Sequence, residues 1–128
     1  MCEIETTIDR AADLTVHTVS GDVTAPEIVD ALHRYFAGVP TKYILWDLCE
    51  ADLTGLTASD VRMIAQTARR YTHLRPGGRT ALLACSDFVY GLGRMLEQTL
   101  SASESPVEAM TFHDRDAALA WLGQGEAG

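Results

Sequence analysis

The sequence predicts an α/β domain, a mostly parallel sheet of about five strands with an antiparallel hairpin at its amino-terminal edge and about four helices. Three observations carry this reading. The chain opens on two β-branched segments joined by a polar turn, short apolar runs then alternate with segments of helical period, and each helical segment opens on a capping residue. One domain is expected over residues 1–123, with 124–128 as a frayed tail.

Glu3 to Ile8 and Leu14 to Val19 are the hairpin strands, and Asp9 to Asp13 is the turn between them. Thr24-Ala25-Pro26-Glu27 has the spacing of a capping box, and Pro26 is tolerated only in a first helical turn. Ile28, Leu32, Tyr35 and Phe36 then recur at helical spacing until Gly38 and Pro40. Tyr43-Ile44-Leu45-Trp46 is apolar without alternation, the pattern of a central strand covered on both faces. After a short loop, Thr57 caps a second helix with the stripe Val61, Ile64, Ala65, Ala68 and Tyr71, and Pro76-Gly77-Gly78 turns the chain. Thr80 to Cys85 is the next buried strand. Ser86 caps a third helix carrying Phe88, Leu92, Met95, Leu96 and Leu100. Gly91 and Gly93 each weaken that helix by about 1 kcal/mol against alanine, so either a backbone approaches closely there or the helix starts later. The last unit is a strand from Val107 to Phe112 and a helix capped by Asp114 with Ala117, Ala118, Trp121 and Leu122.

Composition narrows the function classes. The chain has 128 residues and a formal charge of −8, from 10 basic and 18 acidic side chains. That balance argues against nucleic acid as a partner, because such binding needs phosphates neutralised by Lys and Arg. Every apolar run falls far short of the ~20 residues that span a bilayer. Cys2, Cys49 and Cys85 are odd in number and irregular in spacing, with no secretory leader ahead of them. The expectation is a reducing, cytoplasmic setting in which disulfides are not required.

The phrases Trp46-Asp47-Leu48, Ser86 to Met95 and Ala117 to Gly123 resemble the STAS-like, or SpoIIAA-like, domains, a group that includes anti-sigma-factor antagonists and the cytoplasmic domain of sulfate transporters. The likeness follows the element order over nearly the whole chain and is nearest to small stand-alone bacterial members. It implies a non-enzymatic regulatory or binding module. Antagonist domains carry an Asp-Ser-Ser-Gly-Leu segment after the central strand, whose second serine is phosphorylated to control partner binding. Here the corresponding stretch is Asp52-Leu53-Thr54-Gly55-Leu56, which places Thr54 at the switch position, while Leu53 and a shorter loop from Asp47 to Asp52 depart from the pattern. A phosphate at Thr54 would add about −1.5 to −2 charges at a helix entrance. The plainer reading makes Thr54-Gly55 a turn and Thr57 the helix cap.

Charge distribution adds a signal independent of the likeness. Between Val61 and Ser86 stand five arginines and no acid, whereas the other five basic residues stand against all 18 acids, a net of −13. Arg62, Gln66, Arg69, Arg70 and His73 fall opposite the apolar stripe as one basic face. That face is a solvated helix surface or a docking surface for an acidic partner or a second copy, with Arg62, Arg69 and Arg70 as its binding residues. A ligand reading stands beside it. Ser86, Tyr90 and Arg94 surround a helix amino terminus that suits an anion, with Gly91 and Gly93 as a gate for a small apolar or anionic molecule, although Asp87 competes for the same N–H groups. Gly91-Leu92-Gly93 lacks the third glycine of a dinucleotide fingerprint.

The third reading is a thiol enzyme. Cys49, Cys85, His113 and Asp47 each follow or end a predicted parallel strand and so gather at the carboxyl edge of the sheet, where α/β folds bind ligands. Their spacing matches no metal pattern, and no catalytic motif is present, so no metal, no cofactor and no catalytic residue is assigned. His17, in mid-strand, and His33, in mid-helix, read as satisfied or exposed side chains without a functional partner, and Trp46 and Trp121 as core or edge packing.

Overall fold

The computed structural model describes residues 2–101 and 105–124. The elements follow the order β1 (Glu3–Asp9), β2 (Leu14–Asp22), α1 (Ala25–Phe36), β3 (Tyr43–Asp52), α2 (Ala58–Arg69), a 3-10 turn (Thr72–Leu74), β4 (Arg79–Leu83), α3 (Asp87–Ser101), β5 (Glu108–Phe112) and α4 (Arg115–Trp121). The strands lie side by side as β1-β2-β3-β4-β5. β1 and β2 are antiparallel, and the remaining pairs are parallel. This is the predicted α/β architecture, with β3 at the centre.

Local chemistry sets the helix starts. The Glu27 carboxylate reaches back to the Thr24 N–H at 3.1 Å and takes the Thr24 hydroxyl at 2.9 Å, which holds the carboxyl below its usual range. The Thr57 hydroxyl accepts the Asp60 N–H at 3.1 Å, and Asp60 returns the bond to the Thr57 N–H at 2.9 Å. Ser86 Oγ accepts the Val89 N–H at 3.2 Å, and Asp114 accepts the Asp116 N–H at 3.2 Å. Each of these satisfies a backbone donor that a helix leaves unpaired in its first turn.

The core is split by the sheet. On one face α1, α2 and α3 pack over Val19, Ile44, Trp46 and Leu82, through Ile28, Leu32, Ile64, Val89, Leu92 and Leu96. On the other, α4 alone covers Leu45, Ala81 and Leu83 with Ala118 and Leu122. Only a strand buried on both faces reads as unbroken hydrophobics, which is why Tyr43 to Trp46 stood out in the sequence.

Three expectations change. β3 does not stop at Trp46 but runs to Asp52, because β2 also extends and pairing resumes beyond an irregularity, with Ser20 opposite Glu50 and Asp22 opposite Asp52. β4 ends opposite Asp47, so the second half of β3 has β2 as its one partner, and its mixed run Leu48-Cys49-Glu50-Ala51-Asp52 reads as loop. The α3 stripe is rotated from the one expected. Val89 and Gly93 are buried, Leu92 and Leu96 pack beside them, and Phe88 is 48% exposed. Gly91 and Gly93 both lie inside α3, whose start is at Asp87. Finally Gln124, the first residue of the expected tail, donates its N–H to Leu119 O at 2.8 Å and its side-chain amide to Ala12 O at 3.2 Å; residues 125–128 lie outside the described residues.

Candidate functional site

Parallel strands deliver their carboxyl ends to one edge, so the segments after β3, β4 and β5 gather there. After β3 the chain turns sharply. Asp52 Oδ1 accepts both the Thr54 N–H at 3.0 Å and the Thr54 hydroxyl at 2.6 Å, and these bonds hold the Asp52 carboxyl below its usual range. Leu53 points inward and is buried, which explains why an apolar residue stands there, while Thr54 and Gly55 are exposed. Thr54 belongs to the turn and Thr57 caps α2, so the two plainer assignments hold together with an accessible Thr54 hydroxyl.

Cys49 and Cys85 are joined in a disulfide, with Cα atoms 4.8 Å apart. This corrects the expectation of unpaired thiols. The separation of 36 residues carries no motif, and the pairing arises because each cysteine lies two residues beyond the last β3–β4 partners, Asp47 and Leu83. With both sulfurs bonded, neither supplies the free thiolate that a thiol enzyme requires. Cys2 is the free cysteine. Beside the disulfide, Asp47 Oδ1 accepts the Cys49 N–H at 3.1 Å while Oδ2 takes Arg115 Nη1–H at 2.9 Å. His113 stacks on Tyr90, with ring centroids 3.9 Å apart. The sequence-predicted gathering of Asp47, Cys49, Cys85 and His113 at this edge is thus present, but among the described residues no cluster of His, Cys, Asp or Glu could hold a metal ion.

The arginines divide into three kinds. Arg62 and Arg70 are exposed, as are Gln66 and His73. Arg69 is half-buried and donates from Nη2 to Thr99 O at 3.0 Å, which ties α2 to α3. Arg75 is only 6% exposed and pairs with no carboxylate among the described residues. It donates to Thr41 O at 2.9 Å, Thr80 Oγ1 at 2.9 Å, Lys42 O at 2.8 Å and Arg79 O at 2.9 Å, and burial lowers its pKa to about 10. Arg79 lies near Glu108 at 3.7 Å and donates to Trp121 O at 2.6 Å. The expected single basic face is therefore narrower, because α2 lies close enough to α3 for Arg69 to turn inward.

Of the residues expected to hold an anion, Ser86 caps α3, Tyr90 stacks on His113, and the exposed Arg94 faces Glu97 at 3.7 Å. A second space for a ligand lies under the helices. A cavity of about 130 Å³ separates the sheet from α1, α2 and α3, bounded by Leu32, Tyr35, Trp46, Ala68, Leu92 and Leu96 among others. It is a cleft partly open to solvent, lined almost wholly by apolar side chains. Above the same sheet face His17 is 2% exposed, bonded through Nδ1 to Thr6 Oγ1 at 2.8 Å and packed against Trp46 and Tyr35. Its Nε2 has no partner among the described residues, and burial, with Arg75 as a second cause, lowers its pKa to about 4. Nothing in the sequence marked it beyond a histidine in mid-strand.

Among the described residues no helix is long and apolar enough to cross a membrane. No family model matches the sequence, and no curated protein matches it. Solved structures do. An uncharacterised DUF3478-family protein from Shewanella loihica PV-4 with a SpoIIAA-like fold is 22% identical, with a TM-score of 0.60 over 95% of each chain. An anti-sigma factor antagonist from Mycobacterium paratuberculosis is 17% identical, with a TM-score of 0.60 over 97% of this chain and 96% of the other. The anti-sigma factor antagonist SpoIIAA in its unphosphorylated form is 16% identical, with a TM-score of 0.61 over 96% of this chain and 97% of the other. Strand order, the antiparallel first pair, the three helices on one sheet face and these end-to-end superpositions lead to one conclusion, that the chain has the SpoIIAA-like fold.

Proposed function

We propose that this chain is a non-enzymatic regulatory module that engages a protein partner through the carboxyl edge of its sheet. Asp52, Thr54 and Gly55 form its control turn and Arg62, near the start of α2, the adjoining contact, while Arg70 and the α3-tied Arg69 stand at the far end of α2 as the distal part of the same basic face. The observation that carries the reading is the exposed Thr54 hydroxyl, bound to Asp52 at 2.6 Å at the approach to α2. A phosphate there sets about −1.5 to −2 charges against the Asp52 carboxylate, breaks the turn and changes the charge presented beside Arg62. Two of the similar solved structures are anti-sigma factor antagonists, and their fold lends the reading support.

The test places a photo-crosslinking amino acid at Gly55 and, as a control, at the exposed Val39 ahead of β3 on the opposite edge of the sheet, in the cells that make the protein. One protein partner crosslinked from position 55 and not from 39, and lost with Thr54→Glu, is the expected result. Equal crosslinking from both positions overturns it.

The cavity favours a second reading, a carrier or sensor of a small apolar molecule held between the sheet and α1, α2 and α3. On this reading the ligand sits under the helices, near the end of α3 that carries Ser86, Tyr90 and Arg94.

A further inference from the structure

We propose that Cys49 and Cys85 are a reversible thiol–disulfide site, a dithiol pair that exchanges with low-molecular-weight disulfides and clamps the carboxyl edge of the sheet when oxidised. The proposal concerns the sulfur chemistry and stands apart from the docking reading.

Placement is the first argument. Pairing between β3 and β4 ends at Asp47 and Leu83, and both cysteines follow by two residues, so the disulfide continues the contact between two strands whose backbone ladder has stopped. Beyond it the chains diverge, β3 toward the Asp52–Thr54 turn and β4 into α3. The second argument is that each cysteine is positioned by bonds that do not involve sulfur. The Cys49 N–H is held by Asp47, itself fixed by Arg115. On the other side Ala84 N–H donates to Phe112 O at 2.8 Å, and Ser86 caps α3, so Cys85 lies between two anchored residues. Breaking the S–S bond leaves both thiols facing one another, ready to close again. The third argument is access. Cys85 is exposed and Cys49 half-buried, so an incoming thiolate reaches the Cys85 sulfur.

The exchange balances without any further reactant. One small thiolate attacks Cys85 Sγ, the S–S bond breaks, and Cys49 leaves as a thiolate that takes a proton. A second small thiolate attacks the outer sulfur of the mixed disulfide and frees Cys85. Two small thiols have become one disulfide, and the protein has gained two electrons and two protons. Closing reverses these steps with the small disulfide as oxidant.

The consequence is mechanical. Oxidised, residues 49–57 and 85–90 form one joined edge; reduced, the direct link between them is gone, and each is held by its own side, 49–57 by Asp47, the β2 pairing of 50–52 and buried Leu53, and 85–90 by the α3 cap and buried Val89.

The test equilibrates the full chain against graded ratios of reduced to oxidised glutathione, then alkylates and weighs it. A single transition of two alkyl groups, mapped to Cys49 and Cys85 with Cys2 alkylated at every ratio, is expected. Deuterium exchange on the reduced form should show loss of protection confined to 49–57 and 85–90, restored on reoxidation. Cys49→Ser and Cys85→Ser should keep the wild-type circular dichroism and show no redox-dependent exchange. A pair that stays dithiol at every ratio, one that resists reduction while the chain is folded, or a chain that unfolds throughout on reduction each overturns the proposal.

Discussion

Asp52 and Thr54 share one carboxylate oxygen, which takes both the hydroxyl at 2.6 Å and the backbone N–H at 3.0 Å of the threonine. Both bonds favour the ionised carboxylate, so Asp52 titrates below its ordinary value, with the hydroxyl as the first cause. Thr54→Val removes the hydroxyl and leaves the N–H bond. The Asp52 pKa should rise toward the usual carboxylate range without loss of fold, as followed by the carboxyl carbon shift in an NMR titration. Because a depressed carboxyl favours the folded state above its unfolded pKa and loses that contribution as pH falls through its folded one, Thr54→Val should also unfold at slightly higher pH in acid. An Asp52 titration identical in the two proteins would show that the hydroxyl does not act on it.

His17 gives a second and larger pH effect. The folded protein keeps the imidazole neutral down to a pKa of about 4, whereas the unfolded chain protonates it near 6.5. Between those values the unfolded state binds the extra proton, so stability is full above pH 6.5 and falls as pH drops toward 4. The loss is about 3 kcal/mol, since each pKa unit is worth ~1.4 kcal/mol. His17→Gln lacks the titration. Urea midpoints across that window should therefore fall more steeply for the wild type than for the variant, and parallel curves would refute the assignment.

Fold and site were not equally legible in the sequence. Capping residues and the apolar run Tyr43 to Trp46 report local or two-sided burial, which a sequence displays directly, so Thr57, Ser86 and the central strand were found in place. The outer half of β3 was missed because, paired on one side only, Leu48 to Asp52 mixes apolar and acidic residues without the unbroken apolar run of Tyr43 to Trp46. The Cys49–Cys85 bond was missed for a different reason, since strand register decides it across 36 residues. Arg69 and Arg75 looked like surface charge because helical spacing does not say how near the next element lies, and Arg75 caps carbonyls of two other segments. The likeness drew the eye to Thr54, and its exposure then came from Leu53 turning inward.

Gly91 and Gly93 make a matched pair of opposite sign. A Cβ at Gly93 would stand 2.7 Å from Thr111 Cγ2 and 2.8 Å from its Oγ1, in the contact that seats α3 on β5, whereas a Cβ at Gly91 meets nothing within 4 Å. Gly91→Ala should stabilise by up to about 1 kcal/mol through helix propensity. Gly93→Ala should destabilise by about 1 to 3 kcal/mol from overpacking, and Thr111→Ser should relieve part of that loss. Thermal unfolding of the three variants and the double variant checks both signs.

Arg75 carries a different kind of stability. Its guanidinium joins the Thr41–Lys42 approach to β3, the start of β4 and its own turn through three carbonyls and one hydroxyl, with no acid among the partners. Arg75→Met keeps much of the apolar stem but removes four bonds; Lys42 O keeps the Arg79 N–H at 3.2 Å, and each buried acceptor left without a donor costs about 1 to 3 kcal/mol. A total loss of roughly 3 kcal/mol or more is expected. Arg75→Lys should recover little of it, because one ammonium cannot span a planar fork. Full recovery by lysine in denaturant unfolding would show that charge alone matters.

The cavity separates the two functional readings by experiment. An apolar space of this size stays dry and takes small apolar molecules when its lining offers water no partners. Ala68 lies on its wall, on the side of α2 facing the sheet. Ala68→Leu fills part of the space and should raise stability by about 0.5 to 2 kcal/mol. The same change should weaken the binding of benzene, read as chemical-shift changes at Leu92 and Leu96. If benzene shifts no lining residue in the wild type and Ala68→Leu is destabilising, the interior is already filled and the carrier reading falls. Docking through Thr54 is judged separately from that outcome, because Leu53 and Leu56 line the cavity while Asp52, Thr54 and Gly55 do not, and the Thr54 hydroxyl and N–H both bond to Asp52.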